Sequence, residues 1–308
     1  MAMNTNASIN PHAISPVHDP EHLGELYDNN RSARNQADLK ALQAISAEAF
    51  GAADLRRERI HLGTGATDFV DLIGPLHSDC SRPTLVFVHG GRWQLNTSRE
   101  TAFWARACAR MGFAFAGLNF PPLSQARLPE VIDHVTVAVG ALMERAIAFD
   151  LDPNAFVLAG HSSGAHLALA SLLPRNGQAA PAWVARLRGL LLLGGLYDLA
   201  PLRLTSHQRA LGFTADEARQ CSPLYSLDLA EAQGHRLTLP PTLVAAGAQE
   251  TPEFLRQSRA LHWALQAHRP ARWFEIPDTA HFDAALEFNR EDSVLRGFIA
   301  DSIGAYAT

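Results

Sequence analysis

Buried strands and helices alternate along most of this chain of 308 residues. Residues 84–88 are continuously apolar, which is typical of a strand covered on both faces. Further strands, alternating with helical stretches, are predicted at residues 113–118, 155–159, 189–193, 242–246 and 272–276. Strands that alternate with helices predict an α/β fold, a mostly parallel and doubly wound sheet with helices on both faces.

The pattern is different at the start of the chain. Residues 1–19 are polar, contain two prolines and show no periodicity, so they predict a disordered N-terminal tail. Residues 20–55 have apolar positions at helical spacing and predict a helix packed on the body. Two strand-like stretches follow at 59–62 and 68–73. A longer helix is predicted over 98–111.

Residues 20–308 are predicted to form a single domain, a length that suits one large α/β unit. Within it, residues 198–240 break the strand–helix alternation. This segment is predicted to be a small helical excursion, or cap, over the edge of the sheet where the parallel strands end.

Composition excludes several classes of function. The net charge is −5 and no basic stripe is present, which argues against a nucleic-acid partner. The three cysteines are scattered and odd in number, which favours a reducing compartment over a disulfide framework. No signal peptide or membrane-spanning run is found, so a cytoplasmic protein without a membrane partner is predicted. Metal-ligand spacings and nucleotide-binding glycine motifs are also missing, so no metal and no cofactor are expected.

The strongest chemical signal is the G-x-S-x-G string at residues 160–164, between an apolar strand and an Ala/Leu-rich helix. A strand-to-helix turn this sharp needs glycines beside the serine, because Cβ atoms leave no room there. The serine then projects above the sheet, near the positive end of the following helix. The pattern predicts Ser162 as a nucleophile. A glycine-rich turn without a catalytic role is the alternative.

A second glycine pair lies in the string H-G-G-R-W, directly after the apolar run 84–88. Glycines at a strand end free backbone N–H groups to point into a site, where they bind the oxyanion of a tetrahedral intermediate. The predicted oxyanion loop comprises Gly90, Gly91 and Arg92. The expected donors are the N–H groups of Gly91, Arg92 and Ser163, while Gly90 serves the turn. A tight turn without this role is the alternative.

A serine hydroxyl needs a base that accepts its proton, and the chain has fourteen histidines. When the serine lies on a strand-to-helix turn of this kind, the nucleophile, the acid and the base follow each other in that order along the chain, which restricts the choice. His281 lies in the loop after the last predicted strand and is the predicted base. The competing histidines belong to helices or to the excursion: His166, His235, His262 and His268.

The acid is expected in the loop after residues 242–246. Glu250 stands three residues past the glycine of this loop and is predicted to orient the imidazole. Two other carboxylates remain open. Glu253 lies at the start of the next helix, where complementing the helix dipole would explain it. Asp198 follows another strand and should reach the same edge of the sheet.

From about Leu26 onward, the chain resembles the α/β-hydrolase type of kynurenine formamidase (arylformamidase), which is close to the bacterial esterases related to hormone-sensitive lipase. The resemblance rests on the strings Y-D-N-N-R at 27–31, H-G-G-R-W at 89–93, G-H-S-S-G-A-H at 160–166, G-L-Y-D-L-A-P-L at 195–202, C-S-P-L at 221–224 and E-F-L-R-Q-S at 253–258. The strings H-G-G-x-W, Y-D-L-x-P-L and P-E-F-x-R-Q are more particular to the family than the G-x-S-x-G string is. The resemblance implies an α/β-hydrolase fold with a triad of Ser162, Glu250 and His281.

Three residues depart from the family's pattern. The family usually has an aromatic residue at the position of Arg92, an aspartate at Glu250 and an alanine at Ser163. A cation beside the oxyanion loop favours an anionic aryl substrate if the Arg92 side chain faces the site. If that side chain turns outward, only its backbone matters.

The primary hypothesis is a hydrolase that cleaves an aryl formamide to formate and an arylamine, as in tryptophan catabolism. Trp93, Tyr197 and Phe282 are the aromatic residues expected to wall the aryl group. A short-chain carboxylesterase or amidase acting on another small aromatic substrate is the alternative, and a catalytically silent binding protein is a remote one. The partners considered are a small aromatic amide or ester and, in a homodimer, a second copy of the chain.

Overall fold

One eight-stranded sheet forms the centre of the computed structural model, which describes residues 14–76, 81–175 and 177–304. In chain order the strands are β1 (Leu55–His61), β2 (Phe69–Pro75), β3 (Arg82–Val88), β4 (Ala114–Leu118), β5 (Leu151–His161), β6 (Leu187–Leu193), β7 (Thr242–Gly247) and β8 (Arg272–Ile276). Their order across the sheet is β1-β2-β4-β3-β5-β6-β7-β8. Strands β3 to β8 pair in parallel, and β1 and β2 add an antiparallel edge.

Helices pack on both faces of this sheet. The α-helices are α1 (Pro20–Leu26), α2 (Ala33–Gly51), α3 (Ala105–Arg110), α4 (Leu128–Glu144), α5 (Ser163–Ala170), α6 (Gln208–Leu211), α7 (Ala215–Gln220), α8 (Pro223–Ala232), α9 (Pro252–Leu265), α10 (Asp283–Leu286) and α11 (Val294–Gly304). The sheet separates two hydrophobic clusters, one on each face. The predicted fold class is therefore confirmed.

The parallel strands bring their carboxyl ends to one edge. His89 follows β3, Ser162 follows β5, Gly194 follows β6, Glu250 lies just beyond β7, and His281 lies beyond β8. Ligands of open α/β sheets bind at this edge. Residues as far apart in the sequence as His89 and His281 therefore meet at one edge of the sheet.

Two predicted helices are shorter than expected. The helix predicted over 20–55 is divided into α1 and α2, because the side chain of Ser32 caps a new helix by accepting from the N–H of Asn35. The helix predicted over 98–111 is reduced to α3. At its expected start, Ser98 instead donates its hydroxyl to Asp71 and its N–H to Asn119, and these bonds hold the preceding residues in turns.

Residues 1–13 of the predicted N-terminal tail lie outside the described residues, and residues 14–19 lie within them. In this second part, the Ser15 hydroxyl donates to Glu253 at 2.7 Å and Val17 packs against the core. The segment just before α1 therefore contacts the body of the protein. In the part of the chain that the structure describes, no helix is both long and apolar enough to traverse a bilayer.

The cysteines show no pairing where they are described. Cys108 and Cys221 are buried free thiols, and burial raises the pKa of both. Cys80 lies outside the described residues.

Candidate active site

The turn between β5 and α5 holds Ser162 in a strained backbone conformation, with φ 57° and ψ −128°. The flanking glycines are required by close packing. A Cβ on Gly160 would lie 2.3 Å from the carbonyl oxygen of Gly164, and a Cβ on Gly164 would lie 2.0 Å from that of Val88. A Cβ atom does not fit at either position, so this turn requires glycine at both ends of the G-x-S-x-G string where it packs next to β3.

Replacing Gly164 with alanine is therefore expected to destabilise the fold by about 1–3 kcal/mol or more, because the new methyl group meets backbone atoms that cannot rotate away. Gly297 on α11 is a matched control, since a Cβ there meets nothing within 4 Å. Gly297→Ala should stabilise the protein by about 0.4–1 kcal/mol. Urea unfolding measures both effects. Equal stability of Gly164→Ala and wild type would contradict this account of the turn.

Glu250 and His281 form a buried pair near the turn between β5 and α5. A carboxylate oxygen of Glu250 lies 2.8 Å from Nδ1 of His281, and both side chains are almost fully buried. The carboxylate also accepts the N–H of Gly247 at 3.2 Å, so its own loop holds it in place. A carboxylate accepts a hydrogen bond, so Nδ1 carries the proton and Nε2 is left with the lone pair that a general base needs.

His161 supports this pair from the residue before the serine. Its Nε2–H donates to the carbonyl of His281 at 3.0 Å, and the two imidazole rings lie 4.7 Å apart. Burial lowers the pKa of His161 to about 3, so the ring is neutral near pH 7. The bond fixes the backbone of the loop that carries His281.

The loop after β3 has an irregular backbone in which φ is 123° at Gly91, 54° at Arg92 and 59° at Trp93. Among the described residues, the N–H groups of Gly91 and Arg92 donate to no protein acceptor. The N–H of Ser163, the first residue of α5, is likewise free of a protein acceptor there. Three unpaired N–H groups beside a serine are suited to binding an oxyanion.

Two hydrogen bonds to the carbonyl of Gly90 shape the start of this loop. His89 donates through Nδ1–H at 2.9 Å, and the side-chain amide of Asn96 donates at 3.2 Å. The ring of His89 stacks on Phe120, and burial lowers the pKa of His89 to about 4. The carbonyl of Gly90 is thus fully engaged as an acceptor and is held by these two donors.

Ser162, His161 and His281 line one cavity of about 240 Å³. Most of the remaining wall is apolar and aromatic, and includes Trp93, Phe103, Leu196, Leu211, Phe254 and Phe282. A concave, mostly apolar site with a few convergent polar groups is the usual form of a small-molecule binding site. The cavity is suited to a small aromatic or aliphatic molecule whose reacting carbonyl lies at Ser162.

The sequence of this chain is similar to those of known enzymes. The BD-FAE family model matches residues 70–180. The kynurenine formamidase of Salmo salar is 24% identical over 72% of this chain and 73% of its own. The acetyl esterase of Salmonella typhi is 30% identical over 73% of this chain and 72% of its own. The chain belongs to the α/β-hydrolase family that includes these enzymes. It is a hydrolase of amide or ester bonds.

Solved structures agree with this family. A thioesterase candidate from Silicibacter sp. is 27% identical, with a TM-score of 0.75 over 91% of this chain and 99% of its own. An esterase of the bacterial hormone-sensitive lipase family is 18% identical, with a TM-score of 0.63 over 88% and 99%. The second likeness shows the α/β-hydrolase fold alone.

The two competing carboxylates of this α/β-hydrolase have other partners. A side-chain oxygen of Asp198 accepts the N–H of Ala200 at 3.0 Å, and burial raises the pKa of Asp198. Glu253 accepts the hydroxyl of Tyr27 at 2.7 Å and the guanidinium of Arg256 at 2.8 Å. Helix-dipole complementation alone therefore does not explain Glu253. Within the described residues, neither carboxylate is hydrogen-bonded to His281.

Arg92 is one of the residues that line the cavity, and its guanidinium forms an ion pair with Asp28 of the Y-D-N-N-R string. Asp28 itself is not among the lining residues. The side chains are 40% and 30% exposed. The positive charge of Arg92 therefore already has an acidic partner within the protein.

The predicted aromatic wall is correct in part. Trp93 and Phe282 line the cavity, but Tyr197 does not. Tyr197 is fully buried, and a Cβ on Gly195 would lie 2.2 Å from its hydroxyl. The side chain of Gln257 accepts the N–H of Tyr197 and ties this part of the chain to α9. The expectation that Tyr197 walls the aryl group is wrong, because this residue belongs to the core.

Sequence reasoning missed a hydrogen-bond network around Tyr27, a residue of the N-terminal segment that lines the cavity. The Tyr27 hydroxyl donates to Glu253 and accepts from the amide of Gln257 at 2.8 Å. The same amide donates to the carbonyl of Asp198 at 2.9 Å. These residues belong to the strings Y-D-N-N-R, P-E-F-x-R-Q and Y-D-L-x-P-L. The signal was present as three separate strings, and the fold joins them.

Proposed function

We propose that this α/β-hydrolase cleaves aryl formamides to formate and an arylamine, with Ser162 as nucleophile, His281 as base and Glu250 as acid. The observation that carries the proposal is the buried Glu250–His281 hydrogen bond in the wall of the cavity that also exposes the strained Ser162. An oriented imidazole and a serine on a sharp turn are the two components that acyl transfer requires.

The proposed reaction assigns one step to each of these residues. Ser162 attacks the formyl carbon while Nε2 of His281 takes the hydroxyl proton, and the N–H groups of Gly91, Arg92 and Ser163 bind the resulting oxyanion. When the C–N bond breaks, His281 gives that proton to the departing nitrogen, and the arylamine leaves. Water, deprotonated by His281, then attacks the formyl ester of Ser162. Formate leaves as the serine takes its proton back.

Size and polarity favour a small acyl group and an aryl leaving group. A cavity of about 240 Å³ is small for a substrate site, and its walls carry Trp93, Phe103, Phe254 and Phe282. The kynurenine formamidase relatives match over 72% and 79% of this chain, which supports a formamide. The acetyl esterase relative favours a second candidate, an esterase for short acyl groups that uses the same residues.

Matched substrates separate these two functions. We expect turnover of formanilide and N-formylkynurenine by wild type, loss of that turnover in Ser162→Ala, and retention in Ser81→Ala. Ser81 is an exposed serine near the opposite end of β3. Phenyl acetate is the ester comparison, with kcat/KM measured for each. If phenyl acetate is hydrolysed while neither formamide is hydrolysed faster than by Ser162→Ala, the enzyme is an esterase and the formamidase proposal fails.

A further inference from the structure

The oxyanion loop adopts a conformation that its own sequence disfavours. Arg92 and Trp93 are consecutive non-glycine residues with positive φ, and Asn96 has φ 71°. L-residues rarely adopt this region, and such segments persist only when surrounding contacts over-determine them. The N–H groups of Gly91 and Arg92 point toward the proposed oxyanion position only if the loop keeps this conformation. The contacts that hold the loop therefore contribute to oxyanion binding.

Trp93 donates two side-chain-mediated hydrogen bonds to α5, and its carbonyl accepts the N–H of Leu123 at 2.9 Å. Its backbone N–H donates to the hydroxyl of Ser163 at 3.2 Å, which ties the loop to the first turn of α5. Its indole Nε1–H donates to Nδ1 of His166 at 3.1 Å. Both rings are almost completely buried and meet edge to face, with centroids 5.3 Å apart. Ser163 thus has a use for its hydroxyl that an alanine at that position would lack.

His166 is in turn held by the helical excursion. Its Nε2 lies 2.8 Å from the carbonyl of Cys221, between α7 and α8. A carbonyl only accepts, so Nε2 carries the hydrogen and Nδ1 has the lone pair that receives the indole N–H of Trp93. Burial lowers the pKa of His166 to about 4, which keeps this neutral tautomer near pH 7.

We propose that Trp93 and His166 are positioning residues for the oxyanion hole, a relay that runs from the Cys221 carbonyl through the imidazole and indole to the loop carrying Gly91 and Arg92. The relay rests on the proposed role of Ser162 as nucleophile. It joins the tryptophan of H-G-G-R-W to the second histidine of G-H-S-S-G-A-H, two strings separated by more than sixty residues.

Removing either end of the indole–imidazole bond should lower kcat. We expect Trp93→Phe and His166→Leu to reduce kcat about 10- to 100-fold. His166 does not line the cavity, so KM of His166→Leu should change less than about threefold, because the hole acts on the transition state and not on the bound substrate. His166→Asn should keep most of the activity, since its Oδ1 takes the place of Nδ1 as acceptor. The double variant Trp93→Phe/His166→Leu should be no slower than the slower single variant.

His268 provides a matched control. It is a buried histidine whose Nδ1 accepts the N–H of Leu237 and whose Nε2 donates to the carbonyl of Leu227, at 3.4 Å and 3.1 Å. It does not line the cavity. His268→Leu removes the same kind of bridge at another place and should leave kcat unchanged, even where thermal unfolding shows a loss of stability.

Affinity for phenylboronic acid provides a second readout, because its tetrahedral serine adduct places a charged oxygen in the hole. Its inhibition constant should rise in parallel with the fall in kcat. The relay is overturned if folded Trp93→Phe retains wild-type kcat and boronate affinity, if His166→Leu changes KM alone, or if His268→Leu slows turnover equally. Any substrate that wild type hydrolyses is suitable, so a failed formamide assay leaves this test intact when phenyl acetate is turned over.

Discussion

Replacing Ser162 with alanine is expected to lower kcat about 10⁴-fold or more on any substrate that the wild-type enzyme hydrolyses. The change removes the only atom that is proposed to attack the carbonyl, and leaves the oxyanion N–H groups and the cavity in place. KM should therefore remain close to its wild-type value. Serine and alanine both carry a Cβ, so the backbone strain at φ 57° is the same in the variant as in the wild type. The turn itself should therefore persist.

Steady-state kinetics and thermal unfolding together check this result. Ser81→Ala, prepared and measured in the same way, should retain wild-type kcat. A Ser162→Ala protein that unfolds at the wild-type temperature and keeps more than about a hundredth of the wild-type kcat would mean that another group attacks the substrate.

Glu250→Gln is expected to lower kcat about 10³- to 10⁴-fold. Glutamine has nearly the same shape, but its amide nitrogen can donate to Nδ1 of His281. The imidazole would then carry its proton on Nε2 and could not accept the proton of Ser162. The comparison that identifies the acid is Asp198→Asn, which keeps the side-chain oxygen that accepts from Ala200. Its kcat should remain within about threefold of wild type.

The same two variants test the assignment from the opposite direction. If Asp198→Asn loses as much activity as Glu250→Gln, or if Glu250→Gln retains wild-type kcat, the buried Glu250–His281 bond is structural and a different carboxylate supports the base. Measuring kcat from pH 5 to 9 adds a check, because an exchanged tautomer lowers kcat at every pH in this range.

Much of the fold was predictable because strands and helices have local patterns. The runs at 84–88, 155–159, 189–193 and 242–246 all lie in strands of the sheet, although β5 begins four residues before its run and ends two residues after it. Ser162 could be predicted as a nucleophile because the glycines that the sharp turn requires stand close to the serine in the sequence. Once the strands were placed, chain order pointed to His281 and Glu250, whose side chains the structure brings into contact.

The features that the sequence did not predict depend on partners far along the chain. Nothing local to Arg92 indicates that it pairs with Asp28, 64 positions earlier. Nothing local to Tyr197 indicates burial in the core, since a Tyr after a strand end is equally compatible with a cavity wall. His166 was set aside as a base because it lies on a predicted helix, and only the fold reveals that its partner is Trp93. Side-chain hydrogen bonds across the chain have no periodicity that a sequence pattern could report.

The most direct test of the account is the site of covalent labelling by an alkyl fluorophosphonate, mapped by mass spectrometry of the digested protein. The account predicts one adduct on Ser162, with labelling slowed in His281→Ala and prevented in Ser162→Ala. An active wild-type enzyme that carries the adduct on another residue, or that stays unlabelled and fully active under excess reagent, would contradict the claim that Ser162 is the nucleophile.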